Sequence, residues 1–361
     1  MGDTGTTRGF YAAQPGLRVS GNAEPALEEN LLSLLVEETT AGLYRCEATF
    51  QNWGPVGGEV DYLYLDRQLL DFGSPFEVVA GSDEAEHRIF HGRITGLEAV
   101  FPGERAPEVT VLAEDRFQDL RMTRRTRTFE ESSAADVIRQ IADNHSLRAE
   151  IDIGDGTLPV VAQVNQSDLA FLRDLARSLA ADLWVVEDTL YAQSRNHRQT
   201  SSVTLTYGQG LMNFRVLADI ARQRTSVTVN GWDVAVKDGV NHEADEAVIR
   251  NELNGFEGGG STLRSAFGER KERIVHMAPF TRQEAQSLSE AKYRQIAGKF
   301  VTGRGLAVGD GRIRVGTHVR FQGLGDLFGG SYYVTRVRHT FERSTGYRTA
   351  FEVERSGIGQ V

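Results

Sequence analysis

The chain has a single cysteine, Cys46, so no intrachain disulfide can form and no thiolate cluster can hold zinc. Cys46 lies in an alternating run, Leu43 to Phe50, and reads as an inert strand thiol. Only 8 prolines stand against 38 glycines, a balance that favours a turn-rich β protein over a helical one. No window holds the roughly 18 consecutive apolar residues that a membrane span needs. The start, Met1 to Phe10, lacks the charged and apolar regions of a secretory leader, and Met1-Gly2 alone is a weak lipidation pattern. These absences predict a protein made in the cytoplasm, with no membrane insertion. Excess positive charge is missing too: the formal net charge is −10, which argues against general nucleic-acid binding.

Catalytic signatures are equally scarce. There is no phosphate-binding Gly-x-x-x-x-Gly-Lys-Ser/Thr run, and no Gly-x-Ser-x-Gly elbow. Gly303-Arg-Gly305-Leu-Ala-Val-Gly309 misses the dinucleotide register and follows a helical stretch instead of opening one. His87 and His91 have the spacing of metal ligands on a helix, but their surroundings alternate like a strand. His339 sits between Arg338 and Thr340 in another strand and reads as structural. Asp152 and Asp155 form an acidic pair of the kind glycosidases use, yet a chain with 50 acidic residues contains such pairs by chance. The sequence thus predicts no catalytic residue, no cofactor and no metal.

What is present is organised by periodicity. Residues 1–17 are small and polar and read as a flexible lead-in. Over 18–129, strand-like runs at Leu31–Val36, Leu43–Phe50, Tyr62–Leu65, Phe76–Ala80, His87–Leu97 and Glu108–Ala113 predict a first β-barrel or sandwich. An arginine-rich run, Arg121 to Arg127, closes this part. It reads as a solvated strand edge or a subunit contact, with Arg124, Arg125 and Arg127 as the contact candidates.

Residues 130–200 read as a small α+β unit with two helices. Ser133-Ala-Ala-Asp136 opens one in capping-box style. Ser167 caps the other, whose Leu169, Leu172, Leu175, Ala176 and Leu179 recur at helical spacing. Leu183 to Val186 and Leu190 to Ala192, separated by Glu187-Asp188-Thr189, predict a tight hairpin. The β pattern returns over 201–361. There 238–270, rich in glycine and acid, reads as a long loop, and Thr281-Arg-Gln-Glu284 opens the longest helix, 281–301.

Three motif blocks carry a family resemblance. The first is Phe90-x-Gly92-x-Ile94-x-x-Leu97. The second is Gln163-x-x-x-Ser167-Asp168-x-x-Phe171-Leu172-x-x-Leu175-Ala176 with the aromatic hairpin behind it. The third is Gly330-x-Tyr332-x-Val334-x-x-Val337-x-His339 followed by Gly346-Tyr347-x-Thr349-x-Phe351-x-Val353-x-Arg355. In this order, over about residues 18–356, the chain resembles the hub proteins of contractile tails: the late control D proteins of contractile phages and the hub portion of VgrG-type spike proteins.

That resemblance implies a mainly β fold with an α+β insert, two tube-like β-barrel domains flanking a small α+β domain. It further implies a homotrimer whose six barrels match a six-fold inner tube protein on one side and a three-fold spike protein on the other. Baseplate wedge and adaptor proteins would be further partners, in a phage tail or an injection particle. The chain ends at Val361 without β-helical repeats, so the resemblance places the spike on a separate chain. The alternative from another class is a cell-wall glycan-binding or hydrolytic baseplate component, with 130–192 as its binding module.

Overall fold

The computed structural model describes residues 14–81, 86–154, 156–195, 197–198, 202–233, 237–275 and 279–359, without the side chains of 157–159 and 233. Alternation sets the first β unit. In Arg45–Gln51, Cys46, Ala48 and Phe50 point inward, and in Glu108–Glu114 so do Val109, Val111 and Ala113. Seven strands form its sheet, in the order Asn22–Ala23, Gly16–Val19, Pro75–Ala80, His87–Val100, Glu108–Glu114, Arg45–Gln51, Leu31–Thr39. The expected strand at Tyr62–Leu65 is irregular chain instead. The buried Asn52 side chain accepts from Leu63 N–H at 3.0 Å and Tyr64 N–H at 2.9 Å, which occupies donors that a strand ladder would use.

The second β region closes on itself. Its ring of six strands runs His318–Gln322, Ser202–Tyr207, Gly210–Ala218, Val301–Val308, Gly346–Arg355 and Gly330–Glu342, and back to the first. Phe214, Phe321, Tyr332, Phe351 and Val353 fill its interior. The barrel and the seven-stranded sheet are hydrogen-bonded edge to edge, because Leu31–Thr39 pairs antiparallel with Gly330–Glu342 in the register Glu37↔Arg338 and Val36↔His339. The fold is mainly β with an α+β insert, as expected.

The insert holds its own core from Phe117 to Ala192, so that core begins ahead of the expected border at 129. The arginine-rich run starts the strand Arg124–Ser133, which among the described residues pairs only with Thr157–Ser167, in a two-stranded ribbon. Helices Ala134–Asn144 and Asp168–Ser178 pack on a sheet of Arg148–Asp152, Thr189–Ser194 and Ala181–Val186. Both expected caps form: Ser133 accepts from Asp136 N–H, whose carboxylate returns the bond, and Ser167 accepts from Ala170 N–H. The hairpin turns at Glu187-Asp188, and its Trp184 and Tyr191 face each other in register and stack at 5.1 Å.

The reading of 238–270 as a loop is corrected. Asp238–Asp245 is a strand paired along its length with Ser226–Asp233, and Gly259–Phe267 is a helix. Val240 and Ala244 turn inward beside Val227 and Val229, an alternation hidden in sequence by the surrounding acids. Gly258, Gly259 and Gly260 serve close approach: a Cβ on Gly260 would stand 2.5 Å from the Tyr293 hydroxyl. The longest helix, Arg282–Ala297, packs on this small sheet, and Thr281 accepts from its Glu284 N–H.

Candidate assembly interface

The candidate chemical groups sit mostly in strands and ion pairs. His87 and His91 lie on the strand His87–Val100, where four residues span about 13 Å, too far for a shared ion. Among the described residues no group of three or more His, Cys, Asp or Glu side chains is placed to hold a metal. Asp152 is exposed and pairs with His197 at 2.7 Å, and Asp155 lies outside the described residues. Cys46 is buried, and burial pushes its thiol well above the ordinary range. His339 is enclosed in the β sheet, and burial lowers it to about 3, so it is a neutral ring whose Nδ1 meets Thr349 at 3.1 Å and Tyr347 at 2.8 Å.

The three arginine candidates divide. Arg127 turns inward, donating to Gln163 at 2.8 Å and to Asp168 at 2.7 Å. Asp168 is almost wholly enclosed and is also met by His145 at 2.8 Å and Arg125 at 3.3 Å. Burial raises its carboxyl, but hydrogen bonds from Gln163 and His145 and the charges of Arg127 and Arg125 outweigh that and leave it lowered. Thus Arg127 fastens the ribbon to the start of helix Asp168–Ser178. Arg124 and Arg125 remain exposed, Arg124 donating to the Asn165 carbonyl at 3.0 Å.

Sequence reasoning missed the polar joint where the three units meet. Arg198 lies between Tyr44 of the first sheet, Asp182 and Trp184 of the insert, and Gly316 of the barrel. Its guanidinium holds Asp182 at 3.3 Å and the Tyr44 hydroxyl at 3.0 Å, and its central carbon sits 3.9 Å from the Trp184 ring centroid. Tyr333, from the barrel strand, donates its hydroxyl to the same Asp182 carboxylate. Burial pushes Tyr44 up to about 12 and Tyr333 well above its ordinary value, so both hydroxyls stay protonated. A second acid–arginine set straddles the sheet–barrel seam. Glu37 takes Arg336 and Arg338 at 2.5 and 2.7 Å, and Glu38 binds Arg314 and, at 3.1 Å, the N–H of Val315.

These joints bind the chain to itself, and the surface left for partners is apolar in places. Trp53, Tyr62 and Phe101 form an exposed edge-to-face trio, with centroids 5.2 and 5.7 Å apart. The trio sits beside the hairpin of Gly54–Val56 and Glu59–Asp61, which among the described residues pairs with no other strand. Val160 and Val164 face outward on the ribbon. Such apolar patches suit protein contacts. The insert's aromatics do not form such a surface: Phe171 and Trp184 are buried, and Phe171 stacks on Phe129 at 5.9 Å. Among the described residues, no helix is long and apolar enough to cross a membrane.

No curated protein matches the chain. A family model described as the Alg8 N-terminal domain matches residues 59–343. Among solved structures, a 43 kDa tail protein of prophage MuSo2 from Shewanella oneidensis superposes with a TM-score of 0.69, at 11% identity, over 95% of this chain and 98% of its own. A tail protein from Neisseria meningitidis gives 0.66 at 11% identity, over 96% and 97%. An E. coli component of the type VI secretion system, described as similar to the phage T4 tail proteins gp27 and gp5, gives 0.59 at 11% identity, over 96% and 79%. At these identities the likeness is one of fold.

Proposed function

The chain belongs to the Alg8 N-terminal domain family, and from its fold likeness to tail proteins we propose that it is the structural hub of a contractile tail or a phage-like injection particle. In this reading the protein is not an enzyme. Three copies close into a ring, and the ring adapts a six-fold inner tube to a three-fold spike. Baseplate wedge and adaptor proteins contact its outer side. Residues 18–129 and 201–361 act as the two tube-like units, and 130–200 is the insert between them.

The observation that carries the reading is the edge-to-edge join of sheet and barrel through Glu37↔Arg338. It joins the two β units into one continuous sheet, an arrangement that suits a three-copy ring presenting six faces. The fold likeness to tail proteins over almost the whole chain supports it. The exposed Trp53–Tyr62–Phe101 trio and the exposed Arg124 and Arg125 supply apolar and charged surface for neighbours.

Electron microscopy of the purified chain, alone and mixed with its candidate spike protein, tests the proposal. A three-fold ring with a central channel and six lobes is expected. A monomer in both samples would overturn the ring.

A further inference from the structure

One arginine of the barrel is buried without a counter-charge. Arg355, 8% exposed, lies between two aromatic rings, its guanidinium carbon 4.4 Å from the Phe256 centroid and 4.3 Å from that of Tyr332. Its terminal nitrogens donate to the carbonyls of Gly329 at 2.7 Å and Leu327 at 3.1 Å, and its Nε has no hydrogen-bond partner. Among the described residues no carboxylate lies within ion-pair distance of it. A buried charge with neutral partners only is costly, and an orphaned N–H beside it adds to that cost.

Beside this group is a cavity of about 190 Å³, lined by Glu252, Phe256, Arg320, Gly330, Ser331 and Arg355. That is the liquid volume of about six waters. Arg320 and Ser331 stand opposite each other in the ladder of His318–Gln322 and Gly330–Glu342. Arg320 is exposed and has no ion pair or hydrogen bond within the described chain. Glu252, the acid in the wall, is held by Arg294 at 3.5 Å. Gly330 keeps the space open: its φ is +118°, and a Cβ there would come within 3.0 Å of the Phe256 ring and 3.1 Å of the Arg355 guanidinium.

We propose that this cavity is a receptor for a carboxylate, contributed by an acidic side chain of a partner protein. Arg320 forks onto the carboxylate at the mouth, Ser331 adds a hydroxyl donor, and Arg355 supplies the fixed positive charge behind them. A planar carboxylate suits the flat guanidinium fork and the small volume. The site stands whether or not the chain assembles into a ring.

The test uses the purified full chain and three salts at equal ionic strength: sodium chloride, sodium acetate and inorganic phosphate. A ligand that binds only the folded state raises Tm. The expected result is a higher Tm in acetate than in chloride, with no larger rise in phosphate. Arg320→Gln, a surface change, is expected to keep the chloride Tm and lose the acetate rise. Ser331→Ala reduces that rise. Equal Tm in acetate and chloride overturns the site, as does an acetate rise that survives Arg320→Gln. A phosphate rise exceeding that in acetate overturns the carboxylate assignment in favour of a phosphate ligand.

Discussion

Arg198 and Asp182 meet at 3.3 Å with both side chains 4% exposed, at a place where the sheet, the insert and the barrel all touch. Asp182 receives the Tyr333 hydroxyl as well, so one carboxylate ties two units to the linker between them. An enclosed ion pair of this kind contributes little net stability against an apolar substitute, but breaking it strands a charge.

Asp182→Ala is therefore expected to destabilise the isolated chain by about 3–5 kcal/mol, since Arg198 is left buried and unpaired. Tyr333→Phe removes one donor to the same carboxylate and should cost about 1–3 kcal/mol. Chemical denaturation of the two variants measures both. A loss below that of Tyr333→Phe for Asp182→Ala would show that water enters the joint.

The seam between sheet and barrel should be acid-sensitive. Burial raises the Glu37 carboxyl, but hydrogen bonds from Arg338 and Arg336 and the charge of Arg45 outweigh it and hold it at about 2, down from 4.5. With the folded value depressed, the contribution is complete above pH 4.5 and is lost as pH falls toward 2. Glu37→Gln should flatten that part of the stability curve, measured by denaturation across the acid range.

Asp115 predicts the opposite slope. Burial raises it to about 7 from 3.8, against the lowering effect of the N–H groups of Tyr44 and Phe117 that it accepts. The native state then holds a proton that the unfolded chain releases, so stability falls as pH rises from 3.8 to about 7. Asp115→Asn carries no titratable proton and should remove that fall, at the cost of one acceptor, because the Tyr44 and Phe117 N–H groups meet different oxygens of the carboxylate.

The arginine run should separate folding from assembly. Arg127→Met leaves Asp168 short of its nearest cation and is expected to lower the stability of the isolated chain by about 1–3 kcal/mol. Arg124→Glu should leave the chain folded and reduce its incorporation into particles, read by sedimentation and electron microscopy, whereas Arg125→Glu sets a like charge beside the buried Asp168 and costs stability as well. Normal particles carrying Arg124→Glu would show that this residue is only a solvated face.

Helix starts give a smaller effect. Ser167→Ala removes the acceptor for Ala170 N–H and should cost about 1 kcal/mol in thermal or chemical unfolding.

How much of this was legible follows from how far apart the partners lie. The helices after Ser133 and Ser167 and the hairpin about Glu187-Asp188 were read correctly, because a cap, a helical stripe and a two-residue turn are each complete within a few residues. The Tyr62–Leu65 run was misread because its N–H groups go to Asn52, a side chain with no strand signature. The strand and helix in 238–270 were missed because acids and glycines mask an alternation of only a few apolar residues, and because Gly260 answers to Tyr293, far along the chain. Of the three arginines offered as contacts, only the structure could show that Arg127 turns inward to Asp168.

The amino-acid sequence by itself determined the two capped helices of the insert, the aromatic hairpin and the chemistry that cysteine scarcity excludes. Tertiary structure alone decided that the seven-stranded sheet joins the barrel edge to edge, and that Arg198 gathers Tyr44 and Asp182, 154 and 16 residues away. It alone left Arg355 buried without an acid beside it. The reason is physical: backbone periodicity and caps act over one or two turns of chain. Strand edges and buried charges are satisfied by whatever the closed fold brings to them.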